Sequence, residues 1–163
     1  MAPRTRKAAS PPRAQAVEDI SPREEILRLR ANVPRLSVPE VFAHWTLPMF
    51  LSRWWAPESE IDLRPGAEYH FWWPEADRHL RGRYRRIEPP QLLEFTWGWD
   101  GEPARPSEVL VEIFPGDGPG TEVVVEHRRY GATPADRKLR ASHLEGWTDC
   151  LGRLAALEPF DGF

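Results

Sequence analysis

Cysteine is almost missing from this chain: Cys150 is the single one among 163 residues. One thiol excludes an internal disulfide, and without a C-x-x-C pair it excludes cysteine-built zinc sites as well. No apolar run comes near the ~20 residues a membrane-crossing helix requires. The N-terminus lacks the apolar stretch of a secretory signal. The expectation is a soluble, cytoplasmic protein with no membrane span. Charge of one sign is scarce too, with 22 basic residues against 25 acidic ones, net −3, so nucleic acid is not an expected partner. His44, His70, His79, His127 and His143 show no H-x-x-x-H spacing, and Asp62, Asp77, Asp100 and Asp117 fall in or beside turns. Neither a metal site nor a paired acid and base can be read from them, and no residue pattern calls for a cofactor. Gly116 to Gly120 reads as a hairpin turn, because Pro119 removes an amide donor and no helix follows to hold a phosphate.

What the chain has in excess is aromatic: eight Trp, seven Phe and three Tyr. Each ring brings a large area that needs cover, so a roomy core or a lined pocket is implied. The 18 Pro and 11 Gly are scattered, which argues for many turns and hence for sheet. Residues 1–22 are polar and rich in Ala and Pro, with Arg4, Arg6, Lys7 and Arg13 and no acid before Glu18. They read as a flexible tail, residues 23–158 as one domain, and 159–163 as a short C-terminal tail.

Within the domain, Leu27 and Leu29 alternate with Arg28 and Arg30 as a half-buried strand would. Ser37, Pro39 and Glu40 mark a helix start with a capping box, and Pro48 opens a second short helix carrying Phe50 and Trp54. From Glu60 to Tyr130 five more strands follow in a meander, each run stopped by Pro or Gly. Tyr69, Phe71 and Trp73 share one strand face; so do Phe95, Trp97 and Trp99, and so do Val111 and its neighbours. Val123, Val125 and His127 are in phase with one another. Leu80, Gly82 and Tyr84 agree in phase but Ile87 does not, which predicts a bulge near Arg85 and Arg86. Thr133 and Pro134 start a long helix, expected to reach about Glu158, with His143, Trp147 and Leu151 on the face that presses on the sheet. Gly146 in mid-helix predicts a close approach by a neighbour.

Rings from the meander exceed what one helix face can cover, so a cavity for a hydrophobic, aromatic or lipid-like small molecule is expected between sheet and helix. The residues assigned to it are Phe50, Trp54, Tyr69, Phe71, Trp73, Tyr84 and Phe95, then Trp97, Trp99, Val111, Val125, His127, His143 and Trp147. His127 reads either as a polar group in that cleft or as a core histidine satisfied by a carbonyl or by Tyr130. His143 reaches the rim or lies exposed at a helix edge. Cys150 reads as an inert buried thiol. Two alternatives stand beside ligand binding. One is an enzyme of cyclase or hydrolase type with His127 or Tyr84 moving a proton. The other is a module that contacts a chaperone, or a homodimer, through a patch around Trp54 and Trp55.

Phe50 to Pro57 (FLSRWWAP), Asp62 to Gly66 (DLRPG), Gly82 to Trp97 (GRYRRIEPPQLLEFTW), Thr121 to His127 (TEVVVEH) and His143 to Trp147 (HLEGW) together resemble the SRPBCC or START-like superfamily. More narrowly, the chain is similar over residues 24–158 to homologues of the activator of heat-shock-protein-90 ATPase. The resemblance implies an α+β helix-grip fold: a curved antiparallel sheet wrapped around a long C-terminal helix, with two short helices after the first strand. It also implies a hydrophobic cavity, in a superfamily of lipid carriers, hormone receptors and aromatic-polyketide cyclases, and it transfers no catalytic set.

Overall fold

The computed structural model describes residues 16–102 and 107–161. Eight strands form one antiparallel sheet: β1 (Val17–Asp19), β2 (Ile26–Val33), β3 (Glu58–Ile61), β4 (Glu68–Trp73), β5 (Arg78–Glu88), β6 (Leu92–Trp99), β7 (Ser107–Pro115) and β8 (Thr121–Arg128). Helices α1 (Val38–Thr46) and α2 (Pro48–Leu51) follow β2, and α3 (Pro134–Ala155) closes the domain. The order across the sheet is β1-β2-β8-β7-β6-β5-β4-β3, so it is open, with β1 and β3 as its edges. This is the helix-grip α+β arrangement.

Local chemistry accounts for the elements. On β2, Leu27, Leu29, Ala31 and Val33 are buried while the residues between them are not, the period of a strand with one wet face. Ser37 caps α1 by accepting from the Glu40 amide at 3.4 Å. Thr133 and Asp136 form a full capping box on α3, each side chain accepting the other's backbone N–H. The bulge on β5 lies where parity predicts it, as a register shift between Tyr84 and Arg86. At Gly82 the β5–β6 ladder is opened by side chains: the Tyr69 hydroxyl donates to the Thr96 carbonyl at 2.6 Å, and the Arg83 amide donates to the Thr96 hydroxyl at 2.9 Å. A Cβ on Gly82 would stand 2.0 Å from the Thr96 oxygen and 2.6 Å from the Tyr69 ring, so only glycine fits under that ring.

Several expectations are corrected. Val17–Asp19, within the stretch expected to be tail, pairs with β2 from Val17 opposite Ala31 to Asp19 opposite Leu29, because an edge strand is held by backbone bonds and needs few apolar side chains; residues 1–15 lie outside the described residues. The meander has six strands after the helices, since the polar segment Glu58–Ile61 adds β3 by the same means. Helix α3 stops at Ala155, three residues short of the expected end, where the Ala156 amide turns back to Arg153 and Leu154.

The largest correction concerns the interior. Beneath Tyr69, Phe71, Tyr84 and Phe95 only about 10 Å³ of empty space is left, at the lower limit for a single water. The rings that fill the space come from α1 and the segment after α2. Trp45 packs edge-on to Trp54 at 4.7 Å, and Trp55 reaches Phe71 at 5.3 Å and Trp97 at 5.8 Å. These tryptophans come from outside the meander, so α3 is not the only cover over the sheet's rings. Burying one gains roughly 5 kcal/mol of gross hydrophobic free energy, so they enter the gap that α3 leaves. For the same reason the surface patch expected at Trp54 and Trp55 is cut back: Trp54 is 1% exposed, and only Trp55 stays partly open, at the groove described below.

Candidate functional site

The space that does remain lies beside the C-terminal half of α3, where the β4–β5 hairpin turns back. Trp73 and Arg78, the last paired residues of that hairpin, form one wall with Trp97 and Trp99 of β6. His143, Gly146, Trp147 and Cys150 of α3 form the other. The groove holds about 290 Å³. Strand parity puts the tryptophans on it: Trp73 is in phase with Tyr69 and Phe71, and Trp97 and Trp99 with Phe95; Trp97 is buried, while the last rungs, Trp73 and Trp99, stay half-open. Trp73 and Trp99 approach at 5.1 Å, Trp97 and Trp147 at 5.2 Å. Gly146 does not admit a close neighbour, contrary to expectation; a Cβ there would meet nothing within 4 Å, and the missing side chain keeps the groove open.

A line of hydrogen bonds ends at the groove wall. Burial raises the pKa of the Tyr130 phenol, so it stays protonated and donates to His143 Nδ1 at 2.6 Å. The proton of His143 then lies on Nε2, 3.0 Å from the Glu102 carboxylate. His127 stacks on His143 at 4.7 Å with the rings nearly parallel, 8° apart. Its Nδ1 accepts from the Trp147 indole at 3.1 Å, so its proton is on Nε2, facing the Ser107 hydroxyl at 2.9 Å. Burial, with the neighbouring His143, pushes the His127 pKa well below its ordinary value. His127 is neutral, fully enclosed and satisfied at both nitrogens: a core histidine bonded to Trp147 and Ser107, with Tyr130 bonded to His143 instead.

Five of the residues expected to line a site meet at the groove: Trp73, Trp97, Trp99, His143 and Trp147. Trp54, Tyr69, Phe71, Tyr84, Phe95, Val111, Val125 and His127 are core. Phe50 stands apart, against His44 at 4.8 Å and Phe160 at 5.7 Å in a separate apolar notch. His127 and Tyr84 are therefore unable to reach a groove-bound molecule, and burial holds the Tyr84 hydroxyl above its usual range. The sequence reading missed Trp55, Arg78 and Glu102. Trp55 adjoins Trp54 in the same run, a signal that was available; Arg78, the first residue of β5, and Glu102, in the turn after β6, carry none. Cys150 touches the groove, but burial pushes its thiol up to about 12, so no thiolate is present near neutral pH. Among the described residues no set of three or more His, Cys, Asp or Glu could hold a metal ion. A wider basin of about 790 Å³ spans the outward side of β3 to β6, but all three of its arginines are paired, Arg64 with Asp62, Arg83 with Glu68 and Arg81 with Asp100.

The family model for the "Activator of Hsp90 ATPase homolog 1-like protein" matches residues 35–158, from the turn before α1 to the end of the domain. The chain belongs to this family. Among solved structures it is similar to protein Ms6760 from Mycobacterium smegmatis, at 19% identity and TM-score 0.70, covering 90% of this chain and 99% of that one. DynU16, a putative protein in the dynemicin biosynthetic locus, aligns at 22% identity and TM-score 0.68; the match takes in 80% of this chain but only 46% of that one. CalU16 from Micromonospora echinospora aligns at 26% identity and TM-score 0.63, over 80% of this chain and 76% of that one. These likenesses establish the shared helix-grip fold. No curated protein matches the sequence. No helix among the described residues is long and apolar enough to cross a membrane.

Proposed function

We propose that this family member binds a small, flat aromatic molecule in the tryptophan groove beside the C-terminal half of α3. The observation that carries the reading is the set of rings from Trp73, Trp97, Trp99 and Trp147 around an opening that Gly146 leaves unfilled. A dry cavity of about 150 Å³ takes a benzene, so 290 Å³ suits about two fused rings. That places the groove at the small end of ligand sites. Glu102, held in place by the Nε2–H of His143, keeps its second carboxylate oxygen as an acceptor to orient a polar substituent. The ligand site thus lies at the rim rather than in the interior, and a cytoplasmic location fits a free, unpaired Cys150.

Calorimetric titration with 2-naphthamide, a neutral two-ring probe, tests the reading. It predicts saturable binding at one site per chain, weakened at least tenfold by Trp99→Ala. Absence of heat and of any thermal shift at saturating probe overturns it.

A further inference from the structure

We infer that the ligand of the groove is an aromatic acid, whose carboxylate is received by Arg78; the inference rests on the binding site proposed above. The Arg78 guanidinium carbon lies 4.1 Å from the centroid of Trp99, over a ring that lines the groove. That contact uses the cation's charge and engages no acceptor. Among the described residues the Arg78 side chain has neither a hydrogen bond nor an ion pair, which sets it apart from the arginines around it. Arg81 is paired with Asp100, Arg83 with Glu68, Arg85 with Glu108 and Arg86 with Glu94. Arg153, also at the groove, is tied to Asp149 and to the Trp54 carbonyl.

The acids at the groove are spoken for as well. Glu102 is bound by His143 and Asp149 by Arg153. The Arg78 guanidinium is left against a stacking surface with its N–H donors unspent. A guanidinium presents those donors as a fork that matches a carboxylate in two parallel bonds. A planar acid seated in the groove against Trp99 brings its carboxylate to that fork. Behind it, the Trp97 indole N–H is buried without any hydrogen-bond partner, a second donor in the same wall that the protein itself leaves unused.

The test compares two probes of the same shape, 2-naphthoate and 2-naphthamide, by calorimetry at neutral pH and low salt. The acid should bind at least tenfold more tightly than the amide. Arg78→Gln should bring the acid down to the amide's affinity and leave the amide unchanged. Arg137→Gln, which removes a charge on α3 away from the groove, should leave both affinities as they were. Equal affinity for the two probes, or an equal loss for both in Arg78→Gln, overturns the inference while the aromatic site stands. If neither probe binds, the site itself falls and the inference with it. Arg78 is exposed, so its variant should unfold at the same temperature as the parent chain; a large drop would show that Arg78 acts through folding and would count against the assignment.

Discussion

Replacing Gly146 with leucine should make the protein more stable and at the same time close the proposed ligand site. Gly146 lies in the middle of a 22-residue helix, is exposed, and has open space where its Cβ would go. Glycine costs a helix interior about 0.8 kcal/mol relative to a good helix former such as leucine. No clash offsets that gain, so the unfolding midpoint should rise by roughly 2 to 3 °C for a chain of this size. The leucine side chain would project into the 290 Å³ groove and take up the place of a probe ring. With 2-naphthamide at about a hundred times its Kd, the parent chain should gain about 2.7 kcal/mol, or roughly 5 to 10 °C. The variant should gain nothing. Paired melting curves with and without probe make the measurement. Because the variant is the more stable protein, its loss of binding cannot be put down to unfolding. A variant that binds the probe unchanged would show that the groove is not the site. A variant destabilised by more than about 1 kcal/mol would show that the space beside Gly146 is not there.

Gly82→Ala should cost about 3 kcal/mol in chemical denaturation, since its methyl group meets both the Thr96 carbonyl and the Tyr69 ring; a loss under 1 kcal/mol would refute the crossing described there. The pKa of His127 is depressed in the fold, so the unfolded chain binds the extra proton first as pH falls. Stability from this group is therefore complete above the unfolded value near 6.5 and declines below it, by up to about 1.4 kcal/mol per pH unit. His127→Gln should flatten the stability profile between pH 6.5 and 5 by that slope, and parallel profiles would contradict the neutral, enclosed histidine. Trp147→Phe gives up the bond to His127 whereas Trp97→Phe gives up a donor with no partner. The first should therefore be the costlier by about 1 kcal/mol; equal losses would mean that the Trp147 bond adds nothing.

The elements could be read from the chain because their signals are local. Alternation on β2 and β6, the Thr133 cap of α3 and the parity break before Ile87 each depend on neighbours in sequence, and each has its counterpart in the fold. The short edge strands β1 and β3 escaped because backbone bonding to a neighbour leaves no side-chain pattern. The site was half legible for a related reason. Phase places Trp73, Trp97 and Trp99 on the inner side of the sheet and His143 and Trp147 on the facing side of α3, but it does not say which rungs of the sheet are covered. That was decided by Trp45, Trp54 and Trp55, which arrive from outside the meander and plug the middle, leaving only the end open. Arg78 and Glu102, which give the groove its polarity, follow hairpin geometry that no periodicity encodes.

The claim on which the account turns is that ligands enter the groove and not the interior. The indole N–H resonances of the tryptophans, followed by NMR as 2-naphthamide is added, test it most directly. The signals of Trp73, Trp97 and Trp99 should move with a common saturation curve while those of Trp45 and Trp54 stay where they are. Movement of Trp45 and Trp54 together with the groove signals, or no movement at all, would contradict it.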